Sequence, residues 1–209
     1  MCDAVRMSQP TPRRAPHDPP ELHVHALDSV RYIRSTMEQA ATFTAVPGWG
    51  MVWIGCTALV TAWLAERQPD LARWIAVWVV EGAVAIGIAV ATMHAKARAG
   101  DVQLTSRANR RFFASLAVPL LAGAVLTLML VRDGLGADLA GAWLLLYGVA
   151  LFAGGTLSVR IVPVMGLGFM ALGALTLLVP GIPRDAAMAA GFGVLHVIFG
   201  SLIARRHGG

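Results

Sequence analysis

Charged side chains are what this chain is short of. Asp, Glu, Lys and Arg make up 14% of its 209 residues, where an ordinary soluble domain carries about 25%. That shortage excludes a water-soluble fold of the usual kind, and a mean hydropathy of +0.64 agrees with lipid as the main solvent. Cysteine is scarce as well. Cys2 and Cys56 are the two present; they form no CxxC pair, so no disulfide framework is expected. No P-loop, GxSxG elbow, HExxH site or dinucleotide fingerprint occurs. Enzymatic chemistry is therefore the function class with least support, and no catalytic residue, cofactor or metal is assigned. His23-x-His25 has a ligand-like spacing but lacks further ligands nearby.

What the chain does have is apolar length. Six stretches, near residues 46–65, 72–95, 112–131, 139–157, 161–180 and 186–204, are mostly about 20 residues long, enough to cross ~30 Å of hydrocarbon at ~1.5 Å per residue. They lack the alternation of barrel strands, so the expected fold is all-α, a bundle of six transmembrane helices over residues 46–209. Ahead of it, residues 1–24 contain Pro10, Pro12, Pro16, Pro19 and Pro20 and few apolar groups, which reads as a disordered tail without a secretory leader. Residues 25–45 change character. Leu27, Val30, Ile33, Met37 and Ala40 recur at three- and four-residue steps, the period of an amphipathic helix lying on the membrane surface.

The basic residues set an orientation. Of 17 Lys and Arg, thirteen fall on the side holding both termini and the 96–111 loop, and four on the other. The positive-inside rule then places both termini in the cytoplasm. A net charge of +5 is thus explained by topology, with no nucleic-acid partner implied. Arg31, Arg34, Arg107, Arg110 and Arg111 are the candidate contacts for anionic lipid or for a cytosolic protein reached through the tail and basic loop. Trp49, Trp74 and Trp143 lie near span ends, where indole rings favour the interface.

Glycines recur seven apart at Gly48/Gly55, Gly141/Gly148/Gly155, Gly166/Gly173 and Gly193/Gly200. A seven-residue step keeps to one helix stripe, so each series predicts a smooth seam for close helix contact. Cys56, inside the first span, reads as one more small packing residue.

Few ionisable groups interrupt the spans, and Glu81 and His196 are the most conspicuous. Counted from their span ends, Glu81, Tyr147 and His196 lie ~14, ~12 and ~15 Å deep, one layer near the midplane. His196 shares its stripe with Gly193 and Gly200 and should face the bundle interior. A buried carboxylate needs a partner or a proton. Two readings follow: a proton-responsive cluster of Glu81, His196 and Tyr147, or a hydrogen-bonded set that fixes helix register.

Three segments carry a resemblance: RSTMEQAATFTAVPGWG (34–50), SVRIVPVMGLGFMALGAL (158–175) and GFGVLHVIFGSLIARRHGG (191–209). Together they resemble a group of bacterial six-span inner-membrane proteins of no assigned activity. The resemblance covers everything beyond the tail and implies architecture and a bacterial inner membrane, but carries over no functional residue. Two function classes stay open: a sensing or binding module, or a small transporter or channel subunit using the Glu81/His196 layer, which would call for a homo-oligomer.

Overall fold

A computed structural model describes residues 28–30, 33, 47–100 and 107–207. The chain divides into two units, residues 1–40 and 41–209. Within the first, Asp28, Ser29, Val30 and Ile33 are helical. The tail at 1–24 and most of the expected amphipathic helix, Arg31 and Arg34 included, lie outside the described residues.

The second unit is an all-α bundle, with no strand among the described residues. Its helices are α1 (Gly48–Ala65), α2 (Leu71–Gly100), α3 (Arg107–Arg132), α4 (Leu139–Gly155), α5 (Ile161–Leu178) and α6, a three-part helix. In α6 an α-helical start, Arg184–Met188, passes into a π-helical segment, Ala189–Leu195, and returns to α-helix at His196–His207. All six are long and apolar enough to cross a membrane, so this is a multi-pass membrane protein. Connections 66–70, 133–138 and 179–183 lie at one end of the bundle, the distal end, opposite the proximal one.

Local chemistry explains the helix ends. Asp70 caps α2, its Oδ1 accepting from the Arg73 N–H at 2.8 Å and satisfying a first-turn donor. At the end of α3, Gly134 takes φ 76°. Leu135 N–H reaches back to Leu130 O at 2.8 Å and Gly134 N–H to Val131 O at 3.3 Å, the paired closure that satisfies the last carbonyls of a helix. Pro119 sits inside α3, whereas Pro163 falls in the first turn of α5, where a missing N–H costs little.

Packing follows the glycines. On α4 and α5, Gly148 meets Gly166, Gly141 meets Gly173, and Gly155 meets Pro163. A Cβ added at Gly148 would stand 2.6 Å from Met170 N, and one at Gly166 would stand 2.6 Å from Phe152 N. The α1–α6 pair repeats the arrangement: Gly55 meets Gly193 and Val197, Gly200 meets Val52 and Gly48, and Gly48 meets Ala204. Contacts this close need backbone against backbone, and van der Waals packing is what holds helices together when lipid tails are as apolar as leucine.

The four seam helices form the centre, with α5 and α4 also closing on α6. The other two are peripheral: α2 packs chiefly on α1, and α3 chiefly on α4. In both of these spans 11% of the residues are buried, against 44% in α1 and 50% in α4. Val79, Val80, Ile86, Leu121, Val125 and Leu128 point outward from them, as lipid-facing side chains do.

Two sequence expectations are corrected. Cys56 is exposed, because the packing faces of α1 are taken by Gly48/Gly55 on one side and Gly50/Thr57/Thr61 on another. Trp74 is fully buried, stacked on Trp143 with ring centroids 5.5 Å apart. A neighbouring ring and a hydrogen bond thus hold it inside the bundle instead of at the lipid interface; Trp49, by contrast, is exposed.

The seams give a paired test. Gly148→Ala should destabilise the protein by about 1–3 kcal/mol, the usual cost of overpacking. Gly82→Ala, whose Cβ would meet nothing within 4 Å, should leave stability unchanged or slightly raised. Denaturant unfolding in lipid–detergent bicelles measures both.

Candidate functional site

The α1–α2 contact is built from two stripes. Gly50, Thr57 and Thr61 line one face of α1, and Trp74, Trp78, Glu81, Ala85, Ile88 and Thr92 recur along α2 at helical spacing. Where they meet, Thr57 Oγ1 lies 2.8 Å from Glu81 Oε1 and Thr61 Oγ1 2.9 Å from Oε2. Each carboxyl oxygen therefore has its own hydroxyl. Glu81 is 7% exposed, and no cationic nitrogen among the described residues lies within 4.0 Å of it. Hydrogen bonds to a charged group contribute about 1.5–3 kcal/mol each. Two of them are comparable to the ~2.5–3.5 kcal/mol cost of a charge at mid-bilayer on insertion scales. The clasp is thus strong enough to hold the acid inside the bundle.

Thr57 has a second acceptor. Its Oγ1 also lies 2.9 Å from Ile54 O and 3.2 Å from Trp53 O. A hydroxyl has one proton to give, so Thr57 must choose between its own helix and Glu81.

His196 lies elsewhere in the network. Its Nε2 is 2.9 Å from Tyr147 Oη, and at 2% exposure it faces inward as expected. Its ring stacks on Phe192 at 6.1 Å and meets Phe169 edge-on at 5.4 Å. Tyr147 closes the group, 4.9 Å from Phe169 and 5.0 Å from Phe192. Nδ1 is buried and has no hydrogen-bond partner. Which partner donates in the Tyr147–His196 bond follows from which ring nitrogen carries the proton.

The π-helical segment just before His196 lets α6 serve two neighbours. Gly191 lies against Leu144 and Phe169, Gly193 against Leu59 and Gly55. Widening the helix by one residue over a few positions rotates the following side chains. His196 meets Tyr147 of α4 and Phe169 of α5, while Gly193 and Gly200 serve α1.

A third polar tie lies at the distal end. Trp74 Nε1 donates to Asp185 Oδ1 at 2.6 Å, Arg184 lies 3.6 Å from the same carboxylate, and its guanidinium sits 4.8 Å from the Trp74 ring centroid. Trp143 Nε1 donates to Thr127 Oγ1 at 2.8 Å, tying α3 to α4.

Of the sequence-predicted trio, then, the structure joins Tyr147 to His196 and gives Glu81 a separate set of partners. Depth counting put all three in one layer, but rotation about each helix axis sends them to different seams. Thr57, Thr61, Thr127 and Asp185 went unremarked in the sequence. The signal available was a polar pair at i and i+4 in a span whose other face carries Gly48 and Gly55. Arg110 and Arg111 are exposed in the first turns of α3, and Arg107 opens that helix. Among the described residues no group of three or more His, Cys, Asp or Glu side chains could hold a metal ion.

Comparison of the chain with protein-family models, curated proteins and solved structures finds no match.

Separation of the two polar sets is testable by double-mutant cycles. Tyr147→Phe and His196→Phe share one hydrogen bond and should couple by about 0.5–3 kcal/mol, whereas Glu81→Gln and His196→Phe share none and should add within about 0.5 kcal/mol. Unfolding of the single and double variants supplies the numbers.

Proposed function

We propose that this protein is a membrane sensing or binding module of the bacterial inner membrane, with both termini in the cytoplasm. The observation that carries this reading is where the bundle's polar groups sit. Four of them bond across a helix–helix seam: Glu81 between α2 and α1, His196 between α6 and α4, Trp74 between α2 and α6, Trp143 between α4 and α3. Groups so placed act on helix position. Three of the four ties hold a peripheral helix, α2 or α3, to the centre. A change at one of them is a change in how that helix docks, which suits relay of a membrane signal to a cytosolic partner. Arg110 and Arg111, exposed where α3 begins, and the tail with Arg31 and Arg34 are the surfaces through which that partner or anionic lipid would be engaged.

A transporter or channel subunit is the second reading, and one feature favours it. The π-helical segment interrupts α6 directly before His196, and irregular backbone at membrane depth often marks a substrate path. On that reading homo-oligomerisation would complete the path.

The two readings part experimentally. Affinity capture in mild detergent should recover a cytosolic protein that is lost when residues 1–45 are removed, and reconstituted liposomes should show no flux under proton or cation gradients. Flux that His196→Phe abolishes would reverse the choice.

A further inference from the structure

We propose that Glu81, Thr57 and Thr61 form a proton-binding site within the α1–α2 seam, in which rotation of the Thr57 hydroxyl accommodates either state of the carboxyl. The inference names the signal for the sensing module proposed above and rests on that reading for its consequence; the site itself stands on geometry.

Two complete hydrogen-bond patterns fit the same heavy atoms. With the carboxylate ionised, Thr57 donates to Oε1 across 2.8 Å and Thr61 donates to Oε2 across 2.9 Å. With the acid form, the Oε1 proton is donated to Thr57 Oγ1, and the Thr57 hydroxyl turns to Ile54 O, already 2.9 Å away. Thr61 continues to donate to Oε2, which is now the carbonyl oxygen. Neither state strands a polar atom of Glu81, Thr57 or Thr61. An ordinary buried acid with fixed donors would favour one state by the full cost of an unmade bond.

The surroundings point to a proton as the neutralising charge. No Lys, Arg or His nitrogen among the described residues is within 4.0 Å of the carboxyl. Titratable groups on the packed helices are engaged elsewhere: on α1, Cys56 is exposed; on α6, His196 is taken up by Tyr147 of α4, and Arg184 and Asp185 are held at Trp74, seven residues before Glu81. On α2 itself Trp78, one turn before Glu81, is neutral. Beside Glu81, Gly82 opens onto free space and Thr57 is half-buried, so a lipid-soluble reagent can approach from the bilayer.

A hydrophobic carbodiimide tests this on the full-length protein in proteoliposomes. The carboxylic acid O–H adds across the reagent's C=N bond, the proton going to nitrogen, and the O-acylisourea rearranges to a stable N-acylurea with no atom lost. The acid form is the one that reacts. Mass spectrometry should find the adduct on Glu81 and show it falling as pH rises, and Glu81→Gln should abolish it. Thr61→Val removes a donor that favours the ionised form, so half-labelling should move up by about one pH unit. The infrared band of a protonated carboxyl, read as wild type minus Glu81→Gln, should follow the same titration and covers the case of a site the reagent fails to enter. A Glu81 that gives neither adduct nor band at any pH, labelling that does not change with pH, a half-labelling pH unmoved in Thr61→Val, or labelling suppressed by sodium at constant pH would each overturn the proposal. Loss of the cytosolic partner with labelling intact would instead sink the sensing reading alone.

Discussion

Everything in this bundle depends on how closely two pairs of helices approach. In water, burying apolar surface would bring them together; in a bilayer it does not, because the surrounding chains are as apolar as the helices. What remains is contact at short range. The α4–α5 and α1–α6 seams supply it by removing side chains, so that backbone atoms of one helix sit where a Cβ of the other would be. These seams fix the rotation of four helices about their own axes. Once the rotations are fixed, so is the direction in which the polar side chains of those four helices point.

The polar groups are placed by those rotations and in turn attach what the seams do not reach. Helices α2 and α3 have few buried residues, and dispersion alone would hold them weakly. Each is given hydrogen bonds to the centre: Glu81 and Trp74 for α2, Thr127 for α3. A membrane interior makes such bonds selective, since a polar group turned out of its seam meets hydrocarbon. The result is a rigid centre with two helices whose docking is set by a handful of atoms.

Much of this was legible in the sequence. Span number follows from apolar length, and the seven-residue glycine steps mark the seams, because both depend on one helix at a time. Pairing does not. Glu81, Tyr147 and His196 share a depth by counting, but which of them touch depends on helix azimuth, which neighbours decide. The π-helical segment compounds the difficulty: its wider turn over Ala189–Leu195 changes the face that Gly193 presents relative to His196, which a regular helical count from the sequence does not anticipate. Cys56 and Trp74 were misplaced for the same reason. Thr57 and Thr61 are ordinary in a membrane helix until an acid is found opposite them.

The length of α2 has a consequence of its own. The helix runs from Leu71 to Gly100, 30 residues, while α1, on which it rests, has 18. The Glu81 clasp lies in its distal half, and close contact with α1 continues to Thr92, which lies against Gly50. Beyond Thr92 another 8 residues of α2, or ~12 Å, run on past the first turn of α1. That overhang carries Arg98, which is exposed, beyond the start of the helix on which α2 rests.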